Sequence, residues 1–239
     1  MSGEPLLVVD RLAAGYGRIR VLNGVSLTVP EGGFVTIVGA NGAGKTTLLK
    51  TLMGLVHAVE GSVTFKGHPL LNKAAHQRVE LGIAYVPEGR HVFPSLTVHE
   101  NLELTAVRRS GGGAGDAIER IYELFPRLRE RRTQRAKTLS GGEQQMLALG
   151  RALVLDPVML IADEISLGLA PIVVERMFEV LAQMHAQGKT ILLAEQNARL
   201  ALEAAEDAYV LEAGGISIAG KARDLCSDPR IVEAYLQSL

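Results

Sequence analysis

Residues 34–55 read "FVTIVGANGAGKTTLLKTLMGL". Phe34–Val38 is a β-rich run, apolar nearly throughout, as expected of a strand covered on both faces. From Lys45 onward the pattern turns helical. Between them, "GANGAGKT", Gly39 to Thr46, has the spacing G-x-x-x-x-G-K-[ST]. Gly39, Gly42 and Gly44 let the main chain curl around phosphate oxygens. Lys45 is placed to reach the outer phosphates, and Thr46 to set its hydroxyl on Mg²⁺. Asn41, Ala43 and Thr47 lie in the same loop and first helical turn and join the candidate nucleotide-binding set. Strand, phosphate loop and helix in this order predict an α/β fold.

The rest of the chain repeats that alternation. "VMLIA" (158–162) precedes "PIVVERMFEVLAQMHAQG", and "TILLA" (190–194) precedes "NARLALEAAE". "LLVVD" (6–10), "VSLTV" (25–29) and "SVTFKG" (62–67) read as further strands, and "DAYVLE" with "GISIAG" as a closing strand pair. From about Pro87 to Leu155 strand signals vanish, and "TVHENLELTAVRR", "DAIERIYELF" and "GEQQMLALGRALVL" show helical periodicity. This middle part reads as a helical lobe inserted in the α/β core, with "SGGGAG" (110–115) as a flexible loop between two of its helices.

"VMLIADE" ends in two carboxylates at the carboxyl edge of the sheet, where open α/β folds bind ligands. Asp163 is placed to hold Mg²⁺, and Glu164 to point at the water that attacks a γ-phosphate. "LSGGEQQMLALGRAL", Leu139 to Leu153, is a second glycine turn feeding a helix N-terminus. Free N–H groups and the positive dipole end make such a turn an anion-binding device, yet this one carries no lysine.

"GANGAGKT", "LSGGEQQ" and "VMLIADE", in this order and at suitable spacing, resemble the ATP-binding cassette family across essentially the whole chain. The resemblance implies a P-loop NTPase fold: a mostly parallel sheet, an antiparallel β subdomain and an inserted α-helical lobe. The expected organisation is one unit over residues 1–239, with the ATPase core and β subdomain in 1–86 and 156–239 and the lobe in 87–155. In that family two such domains pair head to tail. Ser140, Gly141 and Gly142 would then cap the ATP held by the opposing Lys45, which explains a phosphate turn without its own lysine. Tyr16 matches the aromatic residue that stacks on adenine. "SLGLAP", Ser166 to Pro171, matches the loop that crosses the dimer interface but lacks its usual aspartate.

Two further departures concern catalysis. Glu88, in "YVPEGR", stands where the family usually has a glutamine that links Mg²⁺ to the attacking water. An ionised carboxylate accepts from water and approaches Mg²⁺ but cannot donate. Gln196, in "LLAEQNA", replaces the family's switch histidine; its amide can donate to a γ-phosphate but cannot become cationic. Either these residues do the same positioning jobs, or the site is weakened and depends on a more orthodox partner. With Lys45, Thr46, Asp163 and Glu164 intact, the first reading is preferred, with Lys45, Glu164 and Gln196 as the catalytic set.

"YVPEGRHVFPSLTVHENL", "DEISLGLAP" and "LLAEQNA" together resemble one of the two ATPase subunits of bacterial branched-chain amino-acid importers. ATPases of urea and short-amide importers are similar there. The resemblance implies ATP and Mg²⁺, a second cassette as homodimer or heterodimer partner, membrane permeases and, indirectly, a periplasmic or extracellular substrate-binding protein. It also implies a peripheral place on the cytoplasmic face of the inner membrane, the isolated chain being soluble. A soluble cassette protein without a permease is the competing class, but it usually carries a long coiled coil or two cassettes, and neither is visible.

Bulk properties exclude other roles. A formal net charge of −1 gives no global field for nucleic acid. One cysteine, Cys226, rules out an intrachain disulfide framework. No apolar run approaches the ~20 residues a membrane helix needs, and "MSGEPLLVVD" lacks the basic start of a signal peptide. "RLRERRTQRAK", Arg127 to Lys137, reads as a solvated basic face without interleaved aromatics, so nucleic-acid binding is not expected.

Overall fold

The computed structural model describes residues 4–108, 113–231 and 233. Strands β1 (Pro5–Tyr16) and β2 (Ile19–Pro30) form a long antiparallel hairpin. Strand β3 (Phe34–Val38) then leads through the phosphate loop into α1 (Lys45–Leu52). Next come β4 (Ala58–Phe65), β5 (His68–Pro69), α2 (Ala75–Glu80) and β6 (Ile83–Val86). Helices α3 (Val98–Ala106), α4 (Ala114–Leu124), α5 (Pro126–Glu130) and α6 (Gly141–Val154) follow, with a 3-10 turn at Ala136–Thr138 before the last. The alternation resumes with β7 (Met159–Asp163), α7 (Pro171–Ala186), β8 (Thr190–Glu195), α8 (Ala198–Ala204), β9 (Asp207–Glu212) and β10 (Gly215–Lys221). Two short helices, α9 (Ala222–Leu225) and α10 (Pro229–Ile231), come last among the described residues.

Two sheets result. One is antiparallel, in the order β2-β1-β4-β5. The other runs β10-β9-β3-β8-β7-β6, parallel except for the edge strand β10. All residues of β3, β7 and β8 are buried. Side chains alternate across β3: Phe34 and Val38 face the layer that holds the helices α3 to α8, whereas Val35 and Ile37 face the antiparallel sheet. Helix α1 inserts Leu48, Leu49 and Leu52 into that second layer, so the phosphate loop is anchored between two apolar cores. β3 lies between β9 and β8 in the sheet, which places its carboxyl end beside those of β8 and β7.

The differences from the sequence reading are local. β1 runs on for 12 residues rather than the five of "LLVVD" because register shifts, with Arg11 at φ 45°, break the period-2 pattern without ending the ladder. β6, "IAYV", is too short for periodicity to announce, and β5 and α2 are likewise absent from that reading. Of "SGGGAG", residues 110–112 lie outside the described residues, and Gly113 caps α4.

The β9–β10 turn braces the phosphate loop. Gly214 donates its N–H to the Ala43 carbonyl (3.0 Å), and its own carbonyl accepts from Asn23 (2.8 Å). Its φ is 81°, and a Cβ there would sit 1.9 Å from the Val21 carbonyl oxygen. Left-handed backbone strain and a backbone clash combine, so Gly214→Ala is expected to cost about 2–3 kcal/mol of stability, measured by urea unfolding.

Candidate functional site

The site is built at the carboxyl ends of β3, β7 and β8. The phosphate loop leaves β3 and turns through two left-handed glycines, Gly42 (φ 79°) and Gly44 (φ 111°). Gly39 is glycine for a different reason: a Cβ would meet the Leu211 carbonyl oxygen at 2.4 Å. Asn41 and Gly42 are exposed at the loop's crest, and Ala43 and Thr47 are buried at its base.

Lys45 is 3% exposed. Its ammonium donates to the Gly39 carbonyl (2.7 Å) and the Ala40 carbonyl (3.2 Å) and pairs with the Glu164 carboxylate at 3.0 Å. One catalytic candidate therefore neutralises another. Thr46 donates its hydroxyl to Asp163 at 3.2 Å, and the Tyr85 phenol donates to the other Asp163 oxygen at 3.1 Å. Burial pushes the Asp163 carboxyl up to about 6, against these two hydrogen bonds, and the charges of Glu164 and Glu88 push the same way. Burial also holds the Tyr85 phenol protonated far above the usual range, with the Asp163 charge adding to it. Tyr85 opens the stretch "YVPEGR", but nothing in the sequence gives it a role, because only the pairing of β6 with β7 brings its phenol to Asp163.

Glu164 follows β7 with φ 47°, an uncommon conformation for a non-glycine residue. Its N–H donates to the Ala194 carbonyl (2.8 Å), which ties the turn to β8. Gln196 is exposed just beyond β8, and Asn197 caps α8 by accepting from the Leu200 N–H at 3.2 Å. Glu88 is exposed and close enough to raise the pKa of Asp163. Tyr16 is half exposed at the end of β1.

The second glycine turn is a capping box. Ser140 accepts from the Glu143 N–H (3.3 Å), and the Glu143 carboxylate accepts from the Ser140 N–H (2.8 Å). Burial alone would raise the Glu143 pKa, but those bonds and Arg131, 2.6 Å away, hold it below the ordinary value. Gly141 and Gly142 start the helix, where N–H groups have no intrahelical partner. Among the described residues no hydrogen bond or ion pair links Ser140, Gly141 or Gly142 to the phosphate loop. A cation does stand beside this turn. The Arg90 guanidinium lies where a Cβ on Gly141 would meet it at 2.6–2.9 Å, and the loop that carries it has three successive positive φ angles at Gly89, Arg90 and His91. Arg151 of α6 holds the same loop, donating to the His91 carbonyl (2.6 Å) and stacking on Phe93 (4.4 Å). Arg90 closes the stretch "YVPEGR", but the sequence gives it no role, since only folding brings it to Gly141.

Among the described residues, three of the six basic residues of the run are ion-paired: Arg127 with Glu130, Arg129 with Glu119 and Arg131 with Glu143.

Residues 22–166 match the ABC transporter family. The chain belongs to that family. It is 46% identical over 231 residues to the high-affinity branched-chain amino acid transport ATP-binding protein BraG of Pseudomonas aeruginosa, covering 97% of this chain and 99% of that relative. It is 38% identical to the probable branched-chain amino acid transport ATP-binding protein LivF of Archaeoglobus fulgidus, covering 92% and 94%. A dimeric post-hydrolysis ATP-binding cassette bound to ADP and Pi superposes with a TM-score of 0.78 at 25% identity, covering 91% of this chain and 99% of that one. This ABC chain is the ATP-binding, ATP-hydrolysing subunit of a transporter. Such cassettes dimerise and act with membrane permeases. Among the described residues no helix is long and apolar enough to cross a membrane.

Two predictions follow from the charges. Removing one partner of a buried pair strands the other, so Glu164→Ala should lose about 3 kcal/mol in the nucleotide-free state and regain much of it with saturating ATP, in urea unfolding with and without nucleotide. The Asp163 carboxyl binds its proton more tightly folded than unfolded. Its contribution therefore favours the folded state below pH ~4 and fades as pH rises toward 6. Asp163→Asn should reduce the loss of stability between pH 4 and 7 by roughly 1–2 kcal/mol relative to the parent.

Proposed function

We propose that this chain is the ATPase motor of a branched-chain amino-acid importer. It would work in a head-to-tail pair with a second cassette, either its own copy or a sibling. The Lys45–Glu164 pair at the mouth of the phosphate loop supports the catalytic assignment. The 46% identity to a branched-chain relative over nearly its whole length supports the substrate. The 31% identity to a lipopolysaccharide export ATPase of Haemophilus influenzae leaves export less well supported.

In this reading ATP enters across Tyr16, which stacks on adenine, while the N–H groups of Asn41 to Thr47 wrap its phosphates. The incoming negative charge displaces Glu164 from Lys45, and the ammonium turns to the outer phosphates. Glu164 is thereby freed to accept a proton from the attacking water as the bond to the ADP oxygen breaks. Gln196 donates its amide to the γ-phosphate. Thr46 and Asp163, two hard oxygen donors side by side, would hold Mg²⁺, with Glu88 as a further candidate carboxylate near Asp163. When bound, that ion supplies neutralising charge to the phosphates. Ser140 and the N–H groups of Gly141 and Gly142 cap the ATP of the opposite subunit, and Arg90 adds a cation beside that cap. Residues 87–155 form the lobe that passes closure to a permease at the cytoplasmic face, while a substrate-binding protein delivers the cargo to that permease on the opposite side of the membrane.

The test has two arms. ATP hydrolysis by the purified chain should rise more than linearly with protein concentration and vanish in Glu164→Gln. Expressed in cells that lack the corresponding importer ATPase, the chain should restore uptake of labelled leucine but not of urea. Linear, Glu164-independent hydrolysis would overturn the catalytic reading; restoration of urea uptake alone would overturn the substrate.

A further inference from the structure

Glu195 is the last residue of β8 and is 1% exposed. Burying a carboxylate is costly unless it is paired and hydrogen-bonded. Among the described residues no cation lies within ion-pair distance of it. Both of its oxygens instead accept from one residue, Ser166: the Ser166 N–H at 3.0 Å and the Ser166 hydroxyl at 2.8 Å. The main chain of Gln196 also donates to it. Burial pushes the Glu195 carboxyl up to about 7 even so, with the Glu164 charge adding to the rise.

Ser166 stands two residues after Glu164. The turn between them starts from the left-handed Glu164, a conformation that persists only where neighbouring contacts over-determine it. Those contacts come from two consecutive residues of β8. The Ala194 carbonyl holds the Glu164 N–H, and the Glu195 side chain holds Ser166 at two points. The loop after Glu164, "SLGLAP", contains no aspartate of its own and is held by a carboxylate from the neighbouring strand.

We propose that Glu195 is a positioning residue of the ATPase, gripping Ser166 so that the turn between them keeps Glu164 aimed at Lys45 and the terminal phosphate. The inference rests on the reading that Glu164 assists the attacking water. Because Gln196 follows Glu195 directly, the same contact sets the relative position of Glu164 and Gln196. The role is to fix an angle, so its loss acts on turnover and leaves nucleotide capture by the phosphate loop alone.

The experiment compares kcat, KM for ATP, affinity for a fluorescent ATP analogue and Tm in the parent, Glu195→Ala, Glu195→Gln, Ser166→Ala and the Glu195→Ala/Ser166→Ala double variant. Glu195→Ala is expected to lower kcat about tenfold or more, with KM and analogue affinity within about threefold of the parent. Glu195→Gln should recover most of the loss, since its amide oxygen can accept from the Ser166 N–H while its NH₂ donates to a rotated hydroxyl. The double variant should be no slower than Glu195→Ala, because both changes remove one contact. Parent kcat in a folded Glu195→Ala, a change in KM alone, or losses that multiply in the double variant would each overturn the proposal. Should Glu195→Ala not fold, Ser166→Ala decides: it should turn over about threefold slower at unchanged Tm, and parent kcat there overturns the proposal equally. Glu164→Gln is the control. If it keeps parent activity, the Glu164 reading fails; if it is inactive while Glu195→Ala is not, the Glu195 role alone fails.

Discussion

The ammonium of Lys45 has nowhere to go but its phosphate. It is buried at the bottom of a glycine loop, held by two carbonyls and one carboxylate. Its partner Glu164 is the carboxylate proposed to accept the proton of the attacking water. In this structure each charge satisfies the other, and under the proposed mechanism the carboxylate stays occupied until phosphate competes for the lysine. Much of the surrounding architecture keeps that pair in register. Gly39 packs against Leu211, Gly214 ties Ala43 to the β9–β10 turn, and α1 is clamped by Leu48, Leu49 and Leu52 between the two sheets.

A second consequence is the crowding of acidic groups. Asp163, Glu164 and Glu195 approach the same sheet edge from β7 and β8, and burial raises the pKa of Asp163 and Glu195. Uncompensated negative charge is unfavourable there in the absence of ligand. Such crowding favours cations: the lysine already present and, as proposed, a divalent ion on Asp163 and Thr46. Tyr85 and Ser166 offset part of the cost with hydrogen bonds.

The loop at residues 88–93 runs between Asp163 and the second glycine turn. Glu88 is an electrostatic neighbour of Asp163, Arg90 lies on Gly141, and Arg151 grips His91 and Phe93. Asn101 adds four main-chain contacts, accepting from the Phe93 N–H and donating to the carbonyls of Phe93, Leu96 and Thr97. Displacement at Glu88 would therefore be felt at the N-terminus of α6, which carries Ser140 as its cap.

Sequence alone determined the α/β class, the phosphate loop and the two carboxylates at the end of β7, because these depend on residues adjacent in the chain. A G-x-x-x-x-G-K-T spacing, or an apolar strand ending in Asp163-Glu164, carries its geometry in local backbone preference. Tyr85, Arg90 and the Glu195–Ser166 contact were decided only by tertiary structure. Tyr85 is 78 residues from Asp163, and Glu195 is 29 residues from Ser166. The pairings that join them follow from which strands lie side by side. Strand order is set by crossover connections and by which faces of β3, β7 and β8 must be covered. Those faces are apolar nearly throughout, and so many strand orders would bury them equally well.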